Sequence, residues 1–218
     1  VRNGPDEVLY NAVDTELFRP QVKKADRDHF TFLLTGKFTS GVWYRVHATL
    51  EALRCALDSR EKFKLIIAGW MEPAVNELLN QTISRYQLGQ FVDYMGDYSQ
   101  SEAPKIYRCA DAYVMLKHQD PCPNTVIEAM ASGLPILYSN TGGISELVGE
   151  HAGVGLTCTE SWEETDVPRP EDICQGLIQL SERYADMGLH ARLIACEKFD
   201  IKNWIERHNN VFTEVLSE

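Results

Sequence analysis

Short continuous apolar runs alternate along this chain with longer segments in which apolar residues return every three or four positions. "FTFLL" (residues 30–34) is a run of the first kind, ended by Gly36. Residues 44–58 are of the second kind, with Val46, Leu50, Leu53 and Leu57 on one helical face. "FKLIIAG" (63–69), "FVDYMG" (91–96), "DAYVML" (111–116) and "PILYS" (135–139) repeat the first pattern, and "GVGL" adds a shorter run. Between them, residues 73–88 are helical in period, with Pro73 in the first turn and Gly89 as the stop, and residues 101–109 form a short helix. Three further helical patterns begin near Arg169, Met187 and Asp200. Buried runs alternating with helices predict an α/β fold: a doubly wound, Rossmann-like, mostly parallel sheet with helices on both faces.

In such a sheet, ligands bind beyond the carboxyl ends of the strands. The loops expected there read "TGKFTSG", "GWMEP", "GDYSQS", "KHQDPCPN" and "NTGGIS". The fourth runs into "DPCPNTVIEAMASGLPIL", residues 120–137. Pro121 and Pro123 keep the backbone extended, so a helix starts near Asn124 or Thr125, both good N-caps. It ends at Gly133, before Pro135. The helix is about two turns long, and its free amides and dipole suit an anion. Glu128 has two readings: it completes a T-x-x-E capping box with Thr125, or it binds a ligand. Asp120 is either a turn-forming loop acid or an acceptor for ligand hydroxyls.

Composition narrows the classes. The chain has 218 residues, 44% hydrophobic and 24% charged, with a net charge of −11. That charge opposes non-specific binding to nucleic acid or anionic lipid. No apolar run is long enough for a membrane span, and no signal-peptide pattern opens the chain. Six cysteines are scattered without zinc-like spacing, which fits reduced thiols in a cytoplasmic protein. A dehydrogenase-type dinucleotide site would need G-x-G-x-x-G after the first strand, and "TGKFTSG" lacks it.

Asp120 and Glu128, eight apart and ahead of "AMASGLPIL", resemble the E-x7-E motif of the retaining, nucleotide-sugar-dependent glycosyltransferases of GT-B fold, the group 1 or family 4 type. "YNAVDTELFRP", "LLTGKF", "FVDYMGDYSQSEAPKIYRCADAYVML", "TGGISELV" and "KFDIKNWIERHNNVF" resemble other segments of that family in the same order, over about residues 8–216. The resemblance implies the donor-binding, C-terminal half of a GT-B architecture. Residues 1–28 would be a hinge, 29–198 the nucleotide-sugar domain, and 199–218 a helix packing toward an N-terminal acceptor domain outside this chain. The implied ligand is a UDP-, GDP- or ADP-linked sugar of hexose type, moved with retention, with no cofactor or metal expected. Alone, the chain would bind donor without turnover. The alternative is a non-catalytic nucleotide-binding module of the same fold.

The resemblance also implies roles. Glu128 would grip ribose hydroxyls. Asp120 would stand near the transferring sugar and Lys37, after Gly36, would neutralise the diphosphate. Asn124 and Thr125 would offer amides to a phosphate, and Cys122 retains an amide between the two prolines. Met95, Gly96 and Tyr98 would line the base. Gly142 and Gly143 would make a tight turn beside the site. Arg45 is the nearest cation where the family has a second lysine, and His118 is either a solvated loop residue or a donor contact. Aspartate at 120, for the usual glutamate, is the main departure.

Overall fold

The computed structural model describes residues 8–21, 28–58 and 62–217. The hinge-segment residues 1–7 and 22–27 therefore lie outside the described residues. Six strands form one sheet: β1 (Phe30–Thr35), β2 (Phe63–Ala68), β3 (Val92–Tyr94), β4 (Ala112–Met115), β5 (Ile136–Ser139) and β6 (Gly153–Leu156). All pairings are parallel, in the order β3-β2-β1-β4-β5-β6. The strand order reverses between β1 and β4, which opens the crevice where an α/β sheet binds ligands.

The apolar runs are continuous because both faces are covered. On β1, Phe32 and Leu34 point into one core and Leu33 into the other. The first core is roofed by α1 (Trp43–Leu57), α2 (Pro73–Arg85) and the first part of α6 (Pro170–Lys198). The second lies under α3 (Ala103–Arg108), α4 (Asn124–Ala131), α5 (Ile144–Val148) and the last part of α6. Val13 and Phe18, from the aperiodic segment before β1, are buried in this second core. Val13 also bridges to Asp200, just before the terminal helix α7 (Ile201–Ser217).

Several boundaries differ from expectation. The patterns beginning at Arg169 and Met187 are one helix of 29 residues, α6. Gly188 lies inside this helix, and a Cβ there would stand 2.5 Å from the Gly133 carbonyl oxygen. The glycine lets α6 cross against the end of α4. The second helix stops at Arg85 rather than 88, and the left-handed residue after it is Gln87 (φ 57°), ahead of the stop expected at Gly89. The third spans Ala103–Arg108 and is shorter than expected.

Helix α4 begins as the prolines dictate and ends as the glycine dictates. Its N-cap is Pro123 (φ −71°, ψ 117°), not Asn124 or Thr125. Gly133 has φ +74°, and the Leu134 N–H donates to the Ala129 carbonyl while the Gly133 N–H donates to Met130. That is a Schellman end, closing the helix after two turns.

Candidate functional site

The loops after β1, β2 and β3 surround a cavity of about 540 Å³ lined by Gly36, Lys37, Gly69, Trp70, Asp97 and Tyr98. The first two loops touch directly. A Cβ on Gly69 would stand 2.0 Å from the Gly36 carbonyl oxygen, so this approach requires glycine. The Phe38 N–H donates to the Trp70 carbonyl (2.8 Å), and the Glu72 carboxylate accepts from the Ser40 N–H (3.0 Å) and hydroxyl (2.8 Å). The exposed Lys37 is thus carried on a pinned loop.

Beneath that loop lies Arg45, 4% exposed. Its guanidinium reaches the Thr35 carbonyl (3.4 Å) and the Met115 sulfur (3.7 Å), and lies 5.9 Å from the centre of the Phe38 ring. Its Nε has no hydrogen-bond partner, and no carboxylate among the described residues pairs with it. A buried cation without a counter-charge is costly. It sits against Gly36, where an added Cβ would be 3.5 Å from Nη1, at the ends of the adjacent strands β1 and β4.

A seam of hydroxyl groups joins this region to α4. Thr35, the last residue of β1, is hydrogen-bonded to Tyr113 (2.8 Å). Tyr98 and Tyr107 lie near this pair, and Thr125 lies near Tyr113. Burial pushes the Tyr98 phenol up to about 12 and that of Tyr107 well above its ordinary value. These tyrosines are therefore neutral donors at physiological pH.

Glu128 stands at the end of the seam. Its Oε2 accepts from the Tyr107 hydroxyl at 2.8 Å, and its Oε1 from the Gln100 amide at 3.3 Å. It makes no capping hydrogen bond, so the capping-box reading is overturned: the helix has no side-chain cap, and Glu128 turns away to the tyrosine. Burial raises its carboxyl above the usual range, against the lowering by Tyr107 and Gln100. A carboxylate has about four acceptor positions. Two are used here, which leaves two. The amides of Asn124 and Thr125, in the first turn of α4, have no acceptor within the helix.

Asp120 is mostly buried and paired with Lys117 at 2.8 Å. Its loop is fixed from two sides. The Gly143 N–H donates to the Asp120 carbonyl (3.1 Å), and the Asn11 side-chain amide donates to the Cys122 carbonyl (3.1 Å). Gly142 takes a left-handed conformation (φ +66°), and Gly143 is the N-cap of α5. His118 is directed elsewhere: its Nε2 is 2.7 Å from the Ser161 carbonyl, and its backbone N–H donates to the Tyr44 hydroxyl. Met95 and Gly96 do not line the cavity; the Met95 N–H and the Gly96 carbonyl are spent on Ile67 and Gly69. Gly69, Trp70, Asp97, Gln100 and Tyr107 belong to the site without having been singled out. Gly69, Trp70, Asp97 and Gln100 lie in loops expected at the ligand-binding edge, whereas Tyr107 carried no local signal.

Residues 18–169 match the pattern of the family described as glycosyl transferases group 1. The chain belongs to that family. It is 25% identical over 153 residues to the lipopolysaccharide core biosynthesis mannosyltransferase LpsB of Rhizobium meliloti, covering 66% of this chain and 43% of that protein. It is 22% identical to the phosphatidylinositol N-acetylglucosaminyltransferase gpi3 subunit of Schizosaccharomyces pombe, covering 97% of this chain and 44% of that one. The chain thus spans less than half the length of these relatives. Among solved structures, Anabaena Alr3699/HepE in complex with UDP and glucose superposes with a TM-score of 0.75 at 19% identity, over 97% of this chain and 56% of that one. The pneumococcal O-GlcNAc transferase GtfA, in complex with UDP and GlcNAc, gives 0.70 at 19% identity, over 96% and 39%. This group 1 chain therefore has the GT-B type of Rossmann-like domain. Among its described residues, no helix is long and apolar enough to cross a membrane, and no group of three or more His, Cys, Asp or Glu residues could hold a metal ion.

Proposed function

We propose that this chain binds the nucleotide-diphospho-sugar donor of a retaining hexosyltransferase. The observation that carries the reading is Glu128, a half-buried carboxylate held by Tyr107 and Gln100 with two acceptor positions left. Two acceptor positions match the two hydroxyls of a ribose. The region beside it offers what a diphosphate needs: Lys37 on the crevice wall, the Arg45 guanidinium beneath it with no carboxylate partner among the described residues, and the first amides of α4. UDP in the solved complexes of similar domains, with UDP-glucose in one of them, supports a nucleotide sugar as the class of ligand.

Lys37, Arg45 and the α4 terminus stabilise the departing diphosphate by fixed positive charge. Asp120 orders sugar hydroxyls and favours positive charge developing at the anomeric carbon. The acceptor enters from outside this chain, so the chain alone binds donor and does not turn over. Calorimetric titration with UDP, GDP and ADP tests this reading: one binds to the wild type, and Glu128→Ala loses most of that affinity. Equal binding by both proteins sinks the assignment of Glu128.

One observation favours a second reading, a nucleotide-binding module without transfer. The Asp120 carboxylate is engaged by Lys117 rather than presented free. Turnover by the intact protein with an acceptor distinguishes the two. Failure there, with nucleotide binding preserved, selects the module.

A further inference from the structure

Among the described residues, no cation pairs with the Glu128 carboxylate. Tyr107 on α3 and Gln100 on the loop before it hydrogen-bond to the carboxylate, and Tyr98 and Tyr113 feel its charge from the same side. Thr35 on β1 completes the seam behind them. The groups holding this half-buried carboxylate are thus neutral hydrogen-bond donors. Its ionisation and orientation depend on those donors.

The two donors are unequal. Gln100 is exposed, on a loop, at 3.3 Å. Its amide occupies Oε1 in a way that an incoming hydroxyl can replace. Tyr107 is fully buried, and its ring is clamped edge-on against Phe18 (5.7 Å between centroids) and tilted against Tyr113 (5.8 Å). It cannot turn away.

We infer that Tyr107 is the positioning residue for Glu128: its buried hydroxyl keeps the carboxylate ionised and oriented, with the remaining acceptor positions open to a ligand diol. The use of that diol site rests on the nucleotide reading above, whereas the Tyr107–Glu128 relationship does not. Tyr107→Phe is the informative change, because it preserves the ring contacts and removes one hydroxyl.

The experiment follows the Glu128 carboxyl by carbon NMR through a pH titration of the free protein. It is paired with calorimetry of UDP, GDP and ADP over the same pH range. In Tyr107→Phe, the Glu128 midpoint moves to higher pH, and the acid limb of nucleoside diphosphate affinity moves with it. At a fixed pH on that limb, affinity is about tenfold weaker than in the wild type, the loss expected for one hydrogen bond to a charged group. Gln100→Ala moves the midpoint less. Replacing Tyr107 with 3-fluorotyrosine, a stronger donor of nearly the same shape, moves it the other way, which provides a second route if the phenylalanine variant folds poorly. An unmoved midpoint in Tyr107→Phe overturns the proposal, and so does an affinity loss that is equal at every pH. If the wild type binds none of the three nucleotides, the nucleotide reading fails, and the NMR titration still decides the role of Tyr107.

Discussion

Gly143 lies so close to Pro121 that a Cβ on the glycine would stand 2.0 Å from the proline carbonyl oxygen. The loop that carries Asp120 is thereby seated on the start of α5 by backbone contact. Gly143 has an ordinary φ of −92°, so its need for glycine is spatial rather than conformational. Gly143→Ala forces the two loops apart and costs ~1–3 kcal/mol, as overpacking does. Gly89→Ala, with no heavy atom within 4 Å of the new Cβ, stays within about 0.5 kcal/mol of wild type. Urea unfolding of the two variants gives the comparison.

The raised carboxyl of Glu128 predicts a pH dependence of unusual sign. Where the folded protein keeps that proton and the unfolded chain has lost it, stability falls as pH rises. The window opens at the ordinary glutamate value and closes at the raised one. Asp166, held low by the Thr159 backbone N–H, contributes oppositely: its stabilisation is lost as pH falls below the ordinary carboxylate range. Glu128→Gln removes the first slope and leaves the second. The variant is at least as stable as wild type at pH 7 and yet binds nucleotide poorly. Denaturant melts across the acid range, paired with nucleotide titration, check both halves.

Arg45 separates stability from binding in a similar way. Its guanidinium is buried, and no carboxylate among the described residues pairs with it, so the free protein gains little from its charge. Arg45→Met keeps the length and removes the charge. The expected melting temperature of the free protein is unchanged or higher. Affinity for a nucleoside diphosphate falls by about 10- to 100-fold, as expected when a charged contact to phosphate is lost, while affinity for the nucleoside alone is preserved. A loss of stability with unchanged diphosphate affinity contradicts the role given to Arg45.

Under the proposed function, Asp120 serves the sugar rather than the nucleotide. Asp120→Ala should leave binding of the bare nucleoside diphosphate within about twofold and remove the preference for the sugar-linked form. Competition between the two ligands measures this. If the variant loses the bare nucleotide as well, the sugar has been placed in the wrong part of the crevice.

The sheet was legible because each parallel strand, covered on both faces, is an uninterrupted apolar run. The two-turn α4 was legible because Pro121, Pro123, Gly133 and Pro135 act through neighbouring residues alone. What escaped depends on contacts distant in sequence. The patterns from Arg169 and Met187 read as two helices, and the place of Gly188 within one helix shows only when the Gly133 carbonyl is seen beside it. Glu128 fits a local capping box, and only the folded chain brings Tyr107 to its carboxylate, 21 residues away. The resemblance marks Arg45 as the nearest cation to the family's second lysine, but nothing nearby in sequence signals that it is buried. His118 likewise stands in a promising loop and turns to Ser161 instead.

The most direct test of the account is a thermal-shift panel on this chain with UDP, GDP, ADP, CMP and NAD. A ligand at a hundred times its dissociation constant stabilises by about 2.7 kcal/mol, a clear rise in melting temperature. The account predicts that one nucleoside diphosphate raises the melting temperature, that Glu128→Ala abolishes the rise, and that NAD has no effect. A response to NAD alone, or a nucleoside diphosphate response that survives Glu128→Ala, contradicts it.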